Sequence, residues 1–262
     1  MDLGISGKRA LVMASSKGLG LACATALAAE GVHVLISGRS ADTLAAAAAE
    51  ITAKGPGKAD FVVVDLGDPA SVQALVDAAQ DKLGGVDILV NNTGGPPPGR
   101  MVDADLAVLA TQFDIMVMRV IALTAALVPA MRAQGWGRVI TIGSSGVIQP
   151  IPNLGLSNTL RSALVGWSKS MANDVAGDGV TVNMLLPGRI ATERLAQLDA
   201  GAAQRTGKPL DAVQAASRAS IPTGRYGDPA EFGAVAAFLA SDKASYVTGS
   251  KIRCDGGSVA SV

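Results

Sequence analysis

The chain has 262 residues, 49% of them apolar, and its 22 basic side chains are balanced by 22 acidic ones. That balance gives no electrostatic reason to expect a nucleic-acid or membrane-surface partner, and the length suits a single α/β sheet domain. The opening residues hold no apolar core long enough for a signal peptide. The most apolar helical stretch, about residues 120–131, follows Arg119 and looks too short to span a bilayer, so a cytoplasmic protein is expected.

Three short aliphatic runs come first, at residues 10–14, 33–37 and 61–64, each with the character of a strand buried on both faces. Between the first two, residues 19–30 are rich in Ala and Leu and close on Gly31, a helix with its stop signal. Residues 41–53 predict a second helix ending before Gly55-Pro56-Gly57, and residues 69–83 a third, opened by Pro69 and closed by Gly84-Gly85. A strand at 88–91, a long helix over about 104–134, a strand at 138–142, a helix over about 157–176 and a strand at 181–186 follow. Strand and helix alternate without a Pro/Ser-rich linker or an internal repeat. The pattern predicts one domain, 1–262, with a doubly wound parallel sheet flanked by helices and joined by right-handed crossovers.

Directly after the first strand the chain reads Ala14-Ser15-Ser16-Lys17-Gly18-Leu19-Gly20, and then the helix begins. Glycines at a strand-to-helix turn let the backbone bend sharply and approach a pyrophosphate, while the helix N-terminus offers oriented N–H groups and partial positive charge. Ser15, Ser16, Lys17, Gly18, Leu19 and Gly20 are therefore candidates to hold a dinucleotide in a Rossmann-type α/β fold. Just past the second strand, where an acidic residue would read the ribose of NAD, the chain has Gly38-Arg39-Ser40. Arg39 offers a guanidinium to a 2′-phosphate and Lys17 a second cation nearby, which favours NADP(H) over NAD(H).

From about residue 8 to residue 257 the sequence resembles the short-chain dehydrogenase/reductase family. The family's Gly-x-x-x-Gly-x-Gly loop is matched by Gly18 and Gly20, with Ala14 in place of the first glycine. A methyl group is tolerated at negative φ, so a shifted loop rather than a lost site is expected at Ala14. The resemblance implies that Asp65, followed by Leu66, meets the adenine, and that Asn92-Thr93-Gly94 after Asn91 passes beside the cofactor ribose. It also implies that Pro187, Gly188, Ile190 and Thr192 clasp the nicotinamide carboxamide. Gly224-Arg225-Tyr226-Gly227-Asp228-Pro229, Tyr246-Val247-Thr248-Gly249 and Asp255-Gly256-Gly257 match the family's last helix and closing strand.

The family's carbonyl chemistry rests on an Asn in the long helix, a Ser after the fifth strand and a Tyr-x-x-x-Lys pair, in which the lysine lowers the phenol's pKa. Ser144 matches the serine, but the tyrosine position thirteen residues on is Ser157 and the lysine position is Arg161. The asparagine position, counted back from Pro129, is Met116. A serine hydroxyl is a poor general acid and a guanidinium does not relay protons, yet Arg161 can place fixed charge beside a developing oxyanion. Ser144, Ser157 and Arg161 are thus the candidate catalytic residues, and hydride addition to a C=C bond conjugated to a carbonyl fits them best, with simple carbonyl reduction through another acid as a variant. Some dienoyl-thioester reductases of the family also lack the tyrosine, although they keep the lysine. One alternative is a non-redox enzyme with a Ser/Ser/Arg oxyanion site, as in the family's halohydrin dehalogenases, which share the arginine but have lost the cofactor glycines. Another is an inactive NADP(H)-binding protein in which Ser157 merely caps its helix.

A small-molecule substrate is expected over the nicotinamide, beside a stiff wall at residues 94–99 and under a mobile helical lid at about 196–221. Arg205, Lys208 and Arg218 on that lid are offset by Asp199 and Asp211, so these read as solvated helix faces and an anionic substrate is not indicated. His33, the only histidine, has no expected role, Cys23 and Cys254 read as small hydrophobes, and no residue cluster suggests a metal. The resemblance implies a homotetramer joined through the helices at about 104–134 and 157–176.

Overall fold

The computed structural model describes residues 2–261. Seven strands, β1 (Arg9–Val12), β2 (His33–Gly38), β3 (Lys58–Val63), β4 (Ile88–Asn91), β5 (Gly137–Ile142), β6 (Val180–Pro187) and β7 (Lys251–Cys254), form one sheet in the order β3-β2-β1-β4-β5-β6-β7. Every neighbouring pair is parallel. Among the described residues, nine α-helices cross over or cap it: α1 (Gly18–Ala29), α2 (Ala41–Lys54), α3 (Ser71–Leu83), α4 (Leu106–Phe113), α5 (Arg119–Ala133), α6 (Gly155–Val175), α7 (Glu193–Thr206), α8 (Leu210–Ala219) and α9 (Pro229–Ala240).

Successive strand side chains feed opposite faces, so two apolar layers form. Ala10, Val12, Val34, Ile36 and Val90 pack with Leu27 and Phe232 under α1, α2 and α9. Leu11, Leu35, Leu89 and Val139 pack with Leu75, Leu123 and Leu164 under α3, α5 and α6. This two-sided burial explains why the strands read as continuous aliphatic runs in the sequence. The strand order reverses between β1 and β4, and the crevice outside the C-terminal strand ends at that point is where such sheets take ligands.

Several elements differ from the sequence expectation, three of them for a visible local reason. Helix α3 starts at Ser71, because Asp68 and Pro69 sit in a turn in which the Asp68 carboxylate accepts from the Ala70 N–H at 2.8 Å. Strand β3 begins at Lys58, before its apolar run, since backbone pairing with β2 extends back to His33↔Lys58. The long helix between β4 and β5 is continuous over Leu106–Ala133 but contains one π-helical turn, Asp114–Met118, which includes Met116.

That helix has 28 residues and a mean hydropathy of 1.8 over its most apolar window, so by length and composition it could cross a membrane. The apolar stretch read in the sequence, residues 120–131, is only part of this helix, and core helices packed on a sheet reach the same length and composition. Its inner stripe, Val120, Leu123, Leu127 and Met131, packs onto the sheet, whereas Leu106, Phe113 and Met118 are exposed.

Candidate functional site

At the C-terminal ends of the central strands lies a cleft of about 1110 Å³, wider than the roughly 300–1,000 Å³ of an ordinary small-ligand pocket. The residues singled out in the sequence converge on it. Ser16, Lys17, Gly18, Leu19 and Arg39 line one end, with Asp65 and Leu66 beside them. Asn92, Thr93 and Gly94 follow along the floor. Ser144, Ser157 and Arg161 line the far end; Pro187, Gly188, Ile190 and Thr192 also line the cleft, with Thr192 beside Gly18 of the loop. Ser15 and Gly20 are behind the lining.

Ser15 is fully buried, its hydroxyl donating to the Val12 carbonyl at 2.6 Å and accepting from the Ser37 N–H, so its side chain stiffens the loop instead of facing a ligand. Gly20 lies where helix α1 crosses the loop, and a Cβ there would come within 2.8 Å of the Ala14 carbonyl oxygen. Ala14 departs from expectation: its φ is +45°, not negative. The turn demands the left-handed conformation that the family's glycine adopts freely, and the alanine takes it at a cost. Three contacts hold it there: its N–H donates to Ser37 Oγ at 3.1 Å, the neighbouring Ser15 N–H to the Ser37 carbonyl, and Asn92 Nδ2 to the Ala14 carbonyl at 2.9 Å. The loop is therefore strained and held by these contacts.

Helix α1 begins with no side-chain cap and no acidic residue in its first turn. Its first N–H groups are thus left for an anion arriving from the cleft, which fits a dinucleotide pyrophosphate. Gly18, at φ +62°, turns the chain into the helix. Arg39 is exposed at the end of β2 and makes no ion pair among the described residues. Lys17, expected beside it, reaches instead across the cleft, with Nζ 2.6 Å from Glu193 on the first turn of α7. Asp65 turns one carboxylate oxygen to the Gly67 N–H, and Thr192 caps α7 by accepting from the Leu195 N–H.

Ser144 follows β5, and Ser157 and Arg161 lie on the first turns of α6. Ser144 Oγ accepts from the Gly146 N–H at 3.0 Å, leaving its hydroxyl proton to donate into the cleft. Helix α6 begins at Gly155 with Leu154 as its N-cap, so Ser157 lies inside the first turn and does not cap the helix. One turn on, Arg161 donates from Nη1 to the Ile142 carbonyl at 2.7 Å. Burial first, and the nearby positive charge of Arg194 second, push the Arg161 guanidinium down to about 10, so it stays charged at neutral pH. Tyr226, the first tyrosine in the chain, does not take the missing phenol's place. It is not part of the cleft lining, and its hydroxyl donates to Asp199 at 2.7 Å. Burial and the Asp199 carboxylate raise its pKa above the usual phenol value.

Sequence reasoning missed two arginines and misjudged an acid. Arg194 lines the cleft and donates from Nη2 to the Pro96 carbonyl at 2.8 Å, tying α7 to the proline wall. Arg189 bridges from the segment after β6 to Asp199 at 3.1 Å. Asp199, read as part of a solvated helix face, is only 2% exposed and accepts from both Arg189 and Tyr226. The wall itself is pinned to α6, Gly99 exchanging backbone hydrogen bonds with Asn153 and Gly155. The one available signal was the position of Arg189 and Arg194 within the Pro187–Thr192 clasp and the turn after it.

Residues 13–259 match the family described as enoyl-(acyl carrier protein) reductase. The chain is 34% identical over 260 residues to the 3-oxoacyl-acyl-carrier-protein reductase FabG of Escherichia coli, covering 97% of this chain and 98% of that one. It is 33% identical to the dehydrogenase/reductase SDR family member 4 of Sus scrofa, over 97% and 88% of the two chains. The crystal structure of L-sorbose reductase from Gluconobacter frateurii, complexed with NADPH and L-sorbose, superposes with a TM-score of 0.94 at 33% identity over all of both chains. Sheet order, loop and near end-to-end similarity agree: the chain belongs to the short-chain dehydrogenase/reductase family and is an oxidoreductase of that type.

Proposed function

We propose that the protein is an NADP(H)-dependent reductase of a C=C bond conjugated to a carbonyl. The observation that carries this reading is that Ser144, Ser157 and a part-buried, charged Arg161 line the same cleft. Such a set binds a negative oxygen well and donates a proton poorly. The description of the matching family, an enoyl reductase, names a reaction of this kind.

The phosphate loop, the uncapped α1 N-terminus and Arg39 would hold the dinucleotide, and Pro187, Gly188, Ile190 and Thr192 its nicotinamide. NADPH, when bound, supplies a hydride to the β-carbon of the substrate. Ser144 and Ser157 donate hydrogen bonds to the enolate oxygen that results, and Arg161 neutralises its charge. A water proton completes the α-carbon, so the C=C bond becomes CH–CH and no protein acid is consumed. Arg161 is anchored to Ile142 and is in place before the charge develops, which spares reorganisation during the step.

Ketone reduction with water as the acid is the second reading, favoured by the names of the FabG and sorbose reductase relatives. We further propose that the whole chain acts as one domain, that α7 and α8 form a lid, and that a cytoplasmic homotetramer forms through α4–α5 and α6. Fluorescence titration with NADPH and NADH, followed by NADPH oxidation with matched enones and ketones, tests the reading. Enones turning over faster than the matching ketones is the expected result. Failure to bind NADPH would overturn it, and tight binding with no turnover would mark a non-catalytic binding protein.

A further inference from the structure

Two guanidinium groups line the same cleft with no ion pair to an acid among the described residues. Arg161 comes from α6 and Arg194 from α7, and both line the same cavity. Each spends one donor on a backbone carbonyl, Ile142 for Arg161 and Pro96 for Arg194. A guanidinium has five N–H donors, so most of each fork is free. Among the described residues, neither lies within ion-pair distance of a carboxylate. Two of the acids that line the cleft are already taken, Glu193 by Lys17 and Asp199 by Arg189.

The chain also makes room for Arg194. Gly95 does not need to be glycine for its backbone, since its φ is not in the left-handed region, but a Cβ there would stand 3.2 Å from the Arg194 guanidinium. Two like charges lining one part-buried cavity repel, and holding them there is unfavourable unless a ligand supplies the counter-charge. The proposed reaction creates one negative charge, on the enolate oxygen, which Arg161 meets. Arg194 then remains for a second, permanent one.

We propose that Arg194 is a substrate-binding residue for a carboxylate, and that the substrate of this enzyme is an enone or related carbonyl compound carrying a carboxylate group. This rests on the reductase reading above and names its substrate class. A monoanion matches the site better than a phosphate dianion: with the enolate formed, two cations face two negative charges. The planar fork of arginine suits a carboxylate's two oxygens.

Levulinate, the saturated product that reduction of 4-oxopent-2-enoate would give, and its uncharged methyl ester make a matched pair of probes. Isothermal titration of the NADP+-loaded protein is expected to show levulinate binding about tenfold tighter than methyl levulinate, the effect of one charge-assisted pair. In Arg194→Ala that preference should vanish while NADP+ binding holds, and Arg194→Lys should restore part of it. With 4-oxopent-2-enoate as substrate, Arg194→Ala should raise KM and leave kcat largely intact.

Equal binding of acid and ester by the wild-type protein would overturn the proposal, as would a preference that survives in Arg194→Ala. Weakened NADP+ binding in Arg194→Ala with the preference retained would assign the guanidinium to the dinucleotide's own phosphates instead. Failure of NADP+ to bind at all would sink the reductase reading. The acid–ester comparison on the free protein would still decide whether Arg194 holds a carboxylate.

Discussion

The Arg161 guanidinium donates to the Ile142 carbonyl at 2.7 Å, so a side chain from α6 is fastened to the end of β5, two residues before Ser144. The anchor fixes where the charge sits. A lysine at the same position has one compact ammonium and could not both reach a backbone carbonyl and present a planar fork to an oxyanion.

Arg161→Met is therefore expected to lower kcat for enone reduction by about 100-fold, the usual cost of removing one preorganised oxyanion donor. NADPH affinity should change little. Steady-state kinetics beside an NADPH fluorescence titration checks both; unchanged kcat would remove Arg161 from the chemistry.

The pH profile should be flat. The titratable residues lining the cleft are acids, one lysine and arginines, with no histidine and no tyrosine among them. Of these groups, Arg161 titrates at about 10. From about pH 6 to 9 kcat should thus show no limb, falling only as Arg161 loses its proton above that range. In the double variant S157Y/R161K a Tyr-x-x-x-Lys pair is rebuilt, and ketone reduction with an alkaline-to-neutral pH dependence should appear. A neutral limb in the wild-type profile would show that a protein acid had been overlooked.

Ala14→Gly should stabilise the protein. The alanine holds φ +45°, a conformation that costs an L-residue about 1–2 kcal/mol and glycine almost nothing. Part of the gain is returned as extra unfolded-state freedom, so about 1 kcal/mol is expected, or a Tm rise of about 2–4 °C. Thermal unfolding measured with and without NADP+ would show the increase in both states. A lower Tm would mean that the methyl group packs usefully and that the strain is smaller than its φ indicates.

Arg39→Ala should reduce discrimination between the two nicotinamide cofactors. Arg39 is exposed at the end of β2 with no ion pair, free to take a 2′-phosphate, whereas Lys17 is engaged with Glu193. Loss of one charge-assisted pair should weaken NADPH by about tenfold and leave NADH nearly unchanged. Equal losses for both cofactors would show that Arg39 does not read the 2′-position.

The sequence by itself determined the sheet, because strands buried on both faces must be aliphatic throughout, and Leu11, Leu35, Leu89 and Val139 lie in runs that show it. Ser144, Ser157 and Arg161 were legible as one candidate set too, since they are read at fixed spacing from one strand and along one helix. Local spacing is legible because it is set by the chain alone. The left-handed φ of Ala14 was not, because it is held by Ser37 and Asn92 from two other strand ends. Nor was the burial of Asp199, whose partners Arg189 and Tyr226 lie on separate segments. Which arginines are paired was likewise decided only by the fold. Arg194 and its hydrogen-bond partner Pro96 are 98 residues apart in sequence, and the absence of a balancing carboxylate depends on every segment that closes around the cleft.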